Sequence, residues 1–331
     1  MSLAPTVERD VAIGALALDC GRTLENVVQR LAVYGTPRAD GANVVLVAHA
    51  LTGSARSADW WPGIVGPGKL LDPERFAIVG INALGGCYGS TGPGSLAPDG
   101  APYGERFPLV SVRDLVRAQR AALRELGIER LALTIGGSLG GMQALAWAHE
   151  APRALGGAIA LGAYDWFAPM GIALNAVARE AIRIARTPRE GIELARKIAM
   201  LTYKSGALFD RRFERRFDRK GGDPTREPAA RFDVEGYLDY QGALFSARMD
   251  PASYLSLTRT MDIYDLRALP IPEPFPALVF VGIGEDWLFP QSYVRAAAER
   301  YARAGVRSTY LELPSDHGHD AFLAEPESLS S

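Results

Sequence analysis

The sequence predicts an α/β protein, a mostly parallel sheet flanked by helices and interrupted late in the chain by a helical insertion. Three observations carry that expectation. Short, almost continuously apolar runs recur along the 331 residues, amphipathic helical stretches lie between them, and residues 166–265 hold helical patterns with no strand among them.

The apolar runs are "NVVLVAHA" (43–50), "FAIVGINA" (76–83), "LALTIGG" (131–137), "GAIALGA" (157–163), "ALVFVGI" (277–283) and "STYLELP" (308–314). Their near-continuous apolarity suits strands buried on both faces, as in parallel sheets. Of the helical stretches, "SVRDLVRAQRAALRELG" opens on a capping signature at Ser111 and Asp114 and places Val112, Leu115, Val116 and Leu123 on one face. Between 166 and 265 four helical segments follow one another, among them "GIALNAVAREAIRIA", "GIELARKIAMLTYKS" and "VEGYLDYQGALFSARM". The expected organisation is a core formed by residues 1–165 and 266–331, carrying a helical lid at 166–265. Within that lid "DRRFERRFDRKGGDPTREP" reads as a solvated, mobile loop.

Composition removes several classes of function. Hydrophobic residues make up 48%, charged residues 22%, and the formal net charge is −2, so no field large enough to gather nucleic acid or an anionic membrane is expected. Cys20 and Cys87 are far apart and suggest neither a disulfide framework nor a zinc knuckle. The N-terminal "MSLAPTVERD" lacks an apolar signal segment, and the most apolar stretch, 154–178, is interrupted by Asp165 and Pro169. The expectation is a cytoplasmic protein.

The most informative stretch is "TIGGSLGGMQALAWA" (134–148), in which Gly136, Ser138 and Gly140 match G-x-S-x-G. The pattern alone is weak in a chain with 35 glycines, but here an apolar strand precedes the serine, a helix follows it and its neighbours are small. A nucleophile elbow needs that context, because its serine sits in a strained turn where larger side chains would clash. A dinucleotide-binding turn would need G-x-G-x-x-G, which "GGSLGG" lacks.

A serine hydroxyl needs a base, and the chain offers four histidines. His149 lies about three helical turns beyond Ser138, too far to bond it. His49 closes the first apolar run, where this kind of site takes a backbone donor, so it reads as a support to the pocket. That leaves His317 and His319 in "SDHGHDAFL", with Glu285 or Asp286 after the strand "ALVFVGI" as the acid. No metal site is expected, since the histidines lack i, i+4 pairing and His317/His319 have no clear third ligand.

Taken together, "HALTGSA", "GINALGGCYGSTGPGS", "YGERFPLVSVRDLVRAQ", "GGSLGGMQALAWA", "ELARKIAMLTYKS", "YLDYQG" and "GHDAFL" resemble the homoserine O-acetyltransferase family of α/β-hydrolase-fold acyltransferases over nearly the whole chain. The resemblance implies Ser138 as nucleophile, Asp286 as acid and His319 as base, with the backbone N–H groups of Leu51 and Leu139 as oxyanion hole. It further implies Arg196 on the substrate carboxylate, Tyr203 in the pocket wall and Asp320 at the substrate ammonium. Acetyl-CoA would be a co-substrate and L-homoserine the acceptor, with no bound cofactor and with pairing of two chains through the lid. Three departures stand out: Lys204 where arginine is commoner, Leu139 where methionine is commoner, and no closing helix after "PESLSS". Sister readings on the same motifs are succinyl transfer, serine as acceptor, and an esterase; a non-catalytic relative would have lost a member of the triad.

Overall fold

The computed structural model describes residues 3–330. Its single sheet has the strands β1 (Val7–Ala17), β2 (Thr23–Tyr34), β3 (Val44–Ala48), β4 (Ala77–Ile81), β5 (Leu133–Gly137), β6 (Gly157–Leu161), β7 (Ala277–Ile283) and β8 (Ser308–Leu313), in the order β1-β2-β4-β3-β5-β6-β7-β8. Strands β3 to β8 run parallel, whereas β1 pairs with β2, and β2 with β4, in antiparallel fashion. All six expected strands form. The hairpin β1–β2 is not among the expected strands, because β1 is an exposed edge strand whose apolar pattern is broken by the run Glu8, Arg9 and Asp10. One further correction concerns β8, which is not buried on both faces: it closes the other edge and is largely exposed.

Every residue of β3 and β4 is buried, as a strand covered on both faces requires. On one face lie α2 (Val112–Arg124), α3 (Leu139–Glu150) and α9 (Gln291–Arg303); on the other, α1 (Ser57–Trp60) and α10 (Ala321–Ala324) bring in Trp61 and Phe322. The capping box read at the start of α2 is present: Asp114 N–H donates to Ser111 Oγ and Ser111 N–H to the Asp114 carboxylate. A short α11 (Pro326–Ser330) follows α10.

Between β6 and β7 the chain leaves the sheet as α4 (Pro169–Ile184), α5 (Pro188–Tyr203), α6 (Gly206–Phe213), α7 (Asp233–Ser246) and α8 (Pro251–Asp262), five helices where four were expected. Proline stands in the first turn of α4, α5 and α8, where its missing N–H costs nothing. The neck of the insertion is closed by Phe167 N–H to Tyr264 C=O and Leu266 N–H to Asp165 C=O. The extra helix, α6, takes in the first residues of the charged stretch read as a mobile loop. The remainder folds back on itself, with Phe217 bridging to Phe232 and buried Asp218 held by Arg231 at 2.6 Å.

The strand order places β4 and β5 on opposite sides of β3, so connections diverge from the carboxyl end of the sheet there. Crevices that bind ligands in open α/β sheets form at such a point. Ser138, directly after β5, stands at it.

Candidate active site

Ser138 joins β5 to α3 with φ 57° and ψ −125°, a conformation rare for a residue with a side chain. The turn holds because its neighbours are glycines. A Cβ on Gly136 would lie 2.4 Å from the Ala48 carbonyl oxygen, and one on Gly140 2.1 Å from the same atom. The serine backbone is pinned by Ser138 N–H to Leu161 C=O at 2.9 Å, and its side chain makes no capping bond to α3. Ser138 therefore presents its hydroxyl to a pocket lined also by Leu51, Phe167, Asn175, Tyr203 and Leu288.

Of the two histidines left open by sequence, it is His319 that faces an acid: its Nδ1 lies 2.7 Å from Asp286 Oδ2. The other Asp286 oxygen accepts from the N–H groups of Leu288 at 3.0 Å and Phe289 at 2.8 Å, so the carboxylate is fixed by the turn that carries it. Glu285 sits at φ 55° with its side chain exposed. His317 turns to Glu325, 2.8 Å from its Nδ1. His317, Asp316 and Glu325 bring potential metal-ligating atoms together, but Asp316 also pairs with Arg211 and Glu325 also accepts from Ser315.

His319 is buried, stacked on Phe289 at 4.9 Å, with Phe322 edge-on at 5.7 Å. Its Nε2 is buried with no hydrogen-bond partner among the described residues. Burial lowers the imidazole pKa, yet the Asp286 charge and hydrogen bond, with Asp320 adding to them, outweigh it and hold the pKa above the ordinary histidine value.

Leu51 lines the pocket with Ser138 and Leu139 follows the serine; His49, read from the sequence as a support, and Gln143, which the sequence did not single out, hold them there. Buried His49 accepts from Ala83 N–H at Nε2, 3.0 Å, and its Nδ1 lies 2.7 Å from Ala50 C=O; burial depresses its pKa, which keeps it neutral. Gln143 donates its side-chain amide to both His49 C=O and Leu139 C=O, each at 3.2 Å. Its own carbonyl accepts from Gln119 at 2.6 Å, and Gln119 in turn accepts from Trp147 at 2.8 Å. The loop after β3 and the first turn of α3 are thus tied by one buried network. The signal in the sequence was a lone glutamine inside an otherwise apolar helix.

From the insertion, α5 contributes Ile198, Ala199, Thr202 and Tyr203 to the pocket. The Tyr203 ring lies 5.9 Å from that of His319, and burial raises its phenol pKa. Arg196 lies over Tyr203 at 5.5 Å and Phe245 at 5.0 Å. Its Nε and Nη1 are buried without an acceptor. Read on the helix alone it resembles a solvated charge; in the fold its Nε and Nη1 are enclosed between aromatic rings. Asp320 is not free, since Lys204 Nζ stands 2.9 Å from its Oδ2. His149 lies apart, bonded to Tyr301 and Pro270, with its pKa pushed down to about 4, chiefly by burial.

This geometry defines an α/β-hydrolase: the family model described as "alpha/beta hydrolase fold" matches residues 43–326. Solved structures with this fold include esterase E22, at TM-score 0.88 and 22% identity over 98% of this chain and 97% of that one. The homoserine O-acetyltransferase of Bacillus anthracis superposes at 0.87 and 20%, covering 98% and 95%. Within that fold the chain belongs to the homoserine O-acetyltransferase family. It is 41% identical to the enzyme of that name from Symbiobacterium thermophilum, covering 94% of this chain and 88% of that one, and 38% identical to that of Geobacter sulfurreducens, covering 100% and 96%.

Gln143→Leu removes the side-chain donor to the His49 and Leu139 carbonyls and leaves the Gln119 amide without its acceptor in the core. The expected outcome is a loss of about 1–3 kcal/mol in urea unfolding. Unchanged stability together with unchanged turnover would show that the network does not hold the two loops.

Proposed function

We infer that this chain transfers an acetyl group from acetyl-CoA to the side-chain hydroxyl of L-homoserine, through an acetyl ester on Ser138. Arg196 carries the reading: its guanidinium, with Nε and Nη1 buried and unpaired, lies over Tyr203 of the pocket wall and suits a substrate carboxylate, whose two oxygens match its fork. A plain acyl ester would give it nothing to bind.

His319 Nε2 takes the Ser138 proton as Oγ attacks the thioester carbon. The oxyanion rests on the N–H groups of Leu51 and Leu139, and the proton passes to the departing CoA sulfur as the C–S bond breaks. The homoserine hydroxyl then gives its proton to His319 and attacks the ester carbon; the tetrahedral intermediate collapses, His319 returns the proton to Ser138, and O-acetylhomoserine leaves. Asp286 holds the imidazole and stabilises its charged form. Asp320 is the partner for the substrate ammonium, which displaces or shares it with Lys204. Pocket residues Phe167, Leu174, Ala178, Met261 and Leu288 are apolar and stand beside Asn175, Thr202 and Tyr203, a lining that suits a small acetyl group.

The insertion acts as a lid that keeps water from the acyl-serine. No metal or bound cofactor enters these steps. Among the described residues no helix is long and apolar enough to cross a membrane. A cytoplasmic location, where acetyl-CoA is available, goes with this reading.

The lid also pairs two chains in this reading. Met170, Val177 and Ile184 recur every seventh residue along α4 and are 60%, 56% and 71% exposed, and Leu194 and Leu201 repeat the spacing on neighbouring α5. Such a stripe suits a helix-on-helix interface. Light scattering is expected to give twice the chain mass, falling to one chain in a Val177→Glu/Leu201→Glu variant; a wild-type particle of one chain would contradict the pairing.

The assay is thiol release from acetyl-CoA with and without L-homoserine. Release that needs homoserine, exceeds that from succinyl-CoA and vanishes in Ser138→Ala is the expected result. Rapid release without any amino acid would mean a hydrolase, and preference for L-serine or succinyl-CoA would move the substrate assignment. Because His319 must be neutral to accept a proton and its pKa is raised, kcat/KM is expected to rise with pH along a limb centred above 6.5. In Asp286→Asn the rate should fall by about 10⁴. A wild-type limb centred below the ordinary histidine value would contradict the pairing's effect.

A further inference from the structure

A second cavity, of about 740 Å³, lies on the insertion between α6, α7 and the segment joining them. That size falls within the ordinary range of small-molecule sites. Its walls carry five cations, Arg212, Arg216, Arg219, Lys220 and Arg231, against three carboxylates, Asp218, Asp233 and Asp239. The carboxylates are already taken. Arg231 binds both Asp218 and Asp239, Lys197 binds Asp239, and Arg216 stands 4.0 Å from Asp233. Arg212, Arg219 and Lys220 have no carboxylate at ion-pair distance among the described residues. This is a positive groove on a chain whose net charge is −2.

Two features link it to the catalytic pocket. Helix α6 starts beside that pocket, where Lys204 pairs with Asp320 and Ser205 bonds Asp316 C=O, and ends at Arg212 and Phe213 in the groove. Its eight residues span about 12 Å. Tyr237 forms part of the groove wall, under Arg212 at 4.6 Å, and its phenol feels the charges of Asp320 and Arg196 as well as that of Arg212. The pantetheine arm of an acyl-CoA, from sulfur to diphosphate, reaches roughly 15 Å when extended, at backbone-like bond spacing. An arm of that length exceeds the span of α6.

We propose that this groove receives the phosphorylated nucleotide end of the acyl-CoA donor, with Arg212, Arg219 and Lys220 on its phosphates and the exposed ring of Tyr240 available to stack on its base. The proposal rests on the acyl-transfer reading above. A competing groove beside the loop after β3 is less suited, since its Arg30 and Arg56 are each paired, with Asp10 at 2.6 Å and Glu8 at 2.5 Å. Guanidinium and ammonium groups left without a carboxylate are the ones free to make charge-assisted bonds to phosphate.

The test compares wild type with Arg219→Glu/Lys220→Glu, two exposed loop residues, and with Arg212→Gln as a second variant. KM for acetyl-CoA is expected to rise about tenfold or more in the double variant, while KM for S-acetylpantetheine, which lacks the nucleotide, shifts less than about twofold. Calorimetry with adenosine 3′,5′-bisphosphate should show binding to wild type, weakened by a similar factor in both variants, and inorganic phosphate binding far more weakly. Equal KM changes for both donors, equal nucleotide binding in all three proteins, or phosphate binding as tightly as the nucleotide would each overturn the assignment. Wild type that binds the nucleotide in the groove but leaves acetyl-CoA intact would instead refute acyl transfer and leave the site standing.

Discussion

Much of the site depends on one close approach, that of the turn around Ser138 to the carbonyl oxygen of Ala48 at the end of β3. A Cβ at either Gly136 or Gly140 would occupy the space that oxygen needs. With both glycines in place, β5 can stop, the serine can adopt a positive φ and α3 can start within a single residue. The conformation costs on the order of 1–3 kcal/mol locally and persists only because the surroundings over-determine it. Those surroundings are the Leu161 carbonyl on the serine N–H and the Gln143 amide, which ties α3 to the loop after β3. The same contact that strains the serine therefore sets the positions of Leu51 and Leu139.

Around this fixed point the site divides into satisfied and unsatisfied polar groups. Asp286 is saturated, holding His319 with one oxygen and two backbone N–H groups with the other. His49, Gln119, Gln143 and Trp147 are likewise closed on one another. Two neighbours are open: His319 Nε2 and two nitrogens of Arg196 are buried without partners. Buried polar atoms are seldom left unpaired in a native protein, and where they are a ligand or reacting group is the ordinary explanation. Both open groups contact the ring of Tyr203, one suited to a proton and one to an anion.

How much of this could be read in advance follows from how local each feature is. The elbow was legible because strand, serine, glycines and helix are contiguous. Spacing narrowed the histidine and acid only to neighbours, His317 or His319 and Glu285 or Asp286, and the resemblance chose His319 and Asp286; which side chain each turn points inward, bringing those two to 2.7 Å, is not encoded in spacing. Strands β1 and β2 escaped because an antiparallel edge pair mixes charges with apolar residues. Arg196 was legible only through family likeness, since an arginine next to Lys197 on an amphipathic helix reads as a surface charge, and Phe245, which covers it, comes from another helix. The charged stretch is largely exposed, in keeping with its composition; what composition does not encode is that it folds back so that Arg231 holds Asp218.

The central claim is that Ser138 carries the acyl group between donor and acceptor. The most direct measurement is intact-protein and peptide mass spectrometry after rapid mixing with acetyl-CoA in the absence of an acceptor. One added acetyl group per chain, located on the peptide containing Ser138 and lost on adding L-homoserine with formation of O-acetylhomoserine, is the predicted result. An unmodified Ser138 during turnover, or an acetyl group found on another residue, would contradict it.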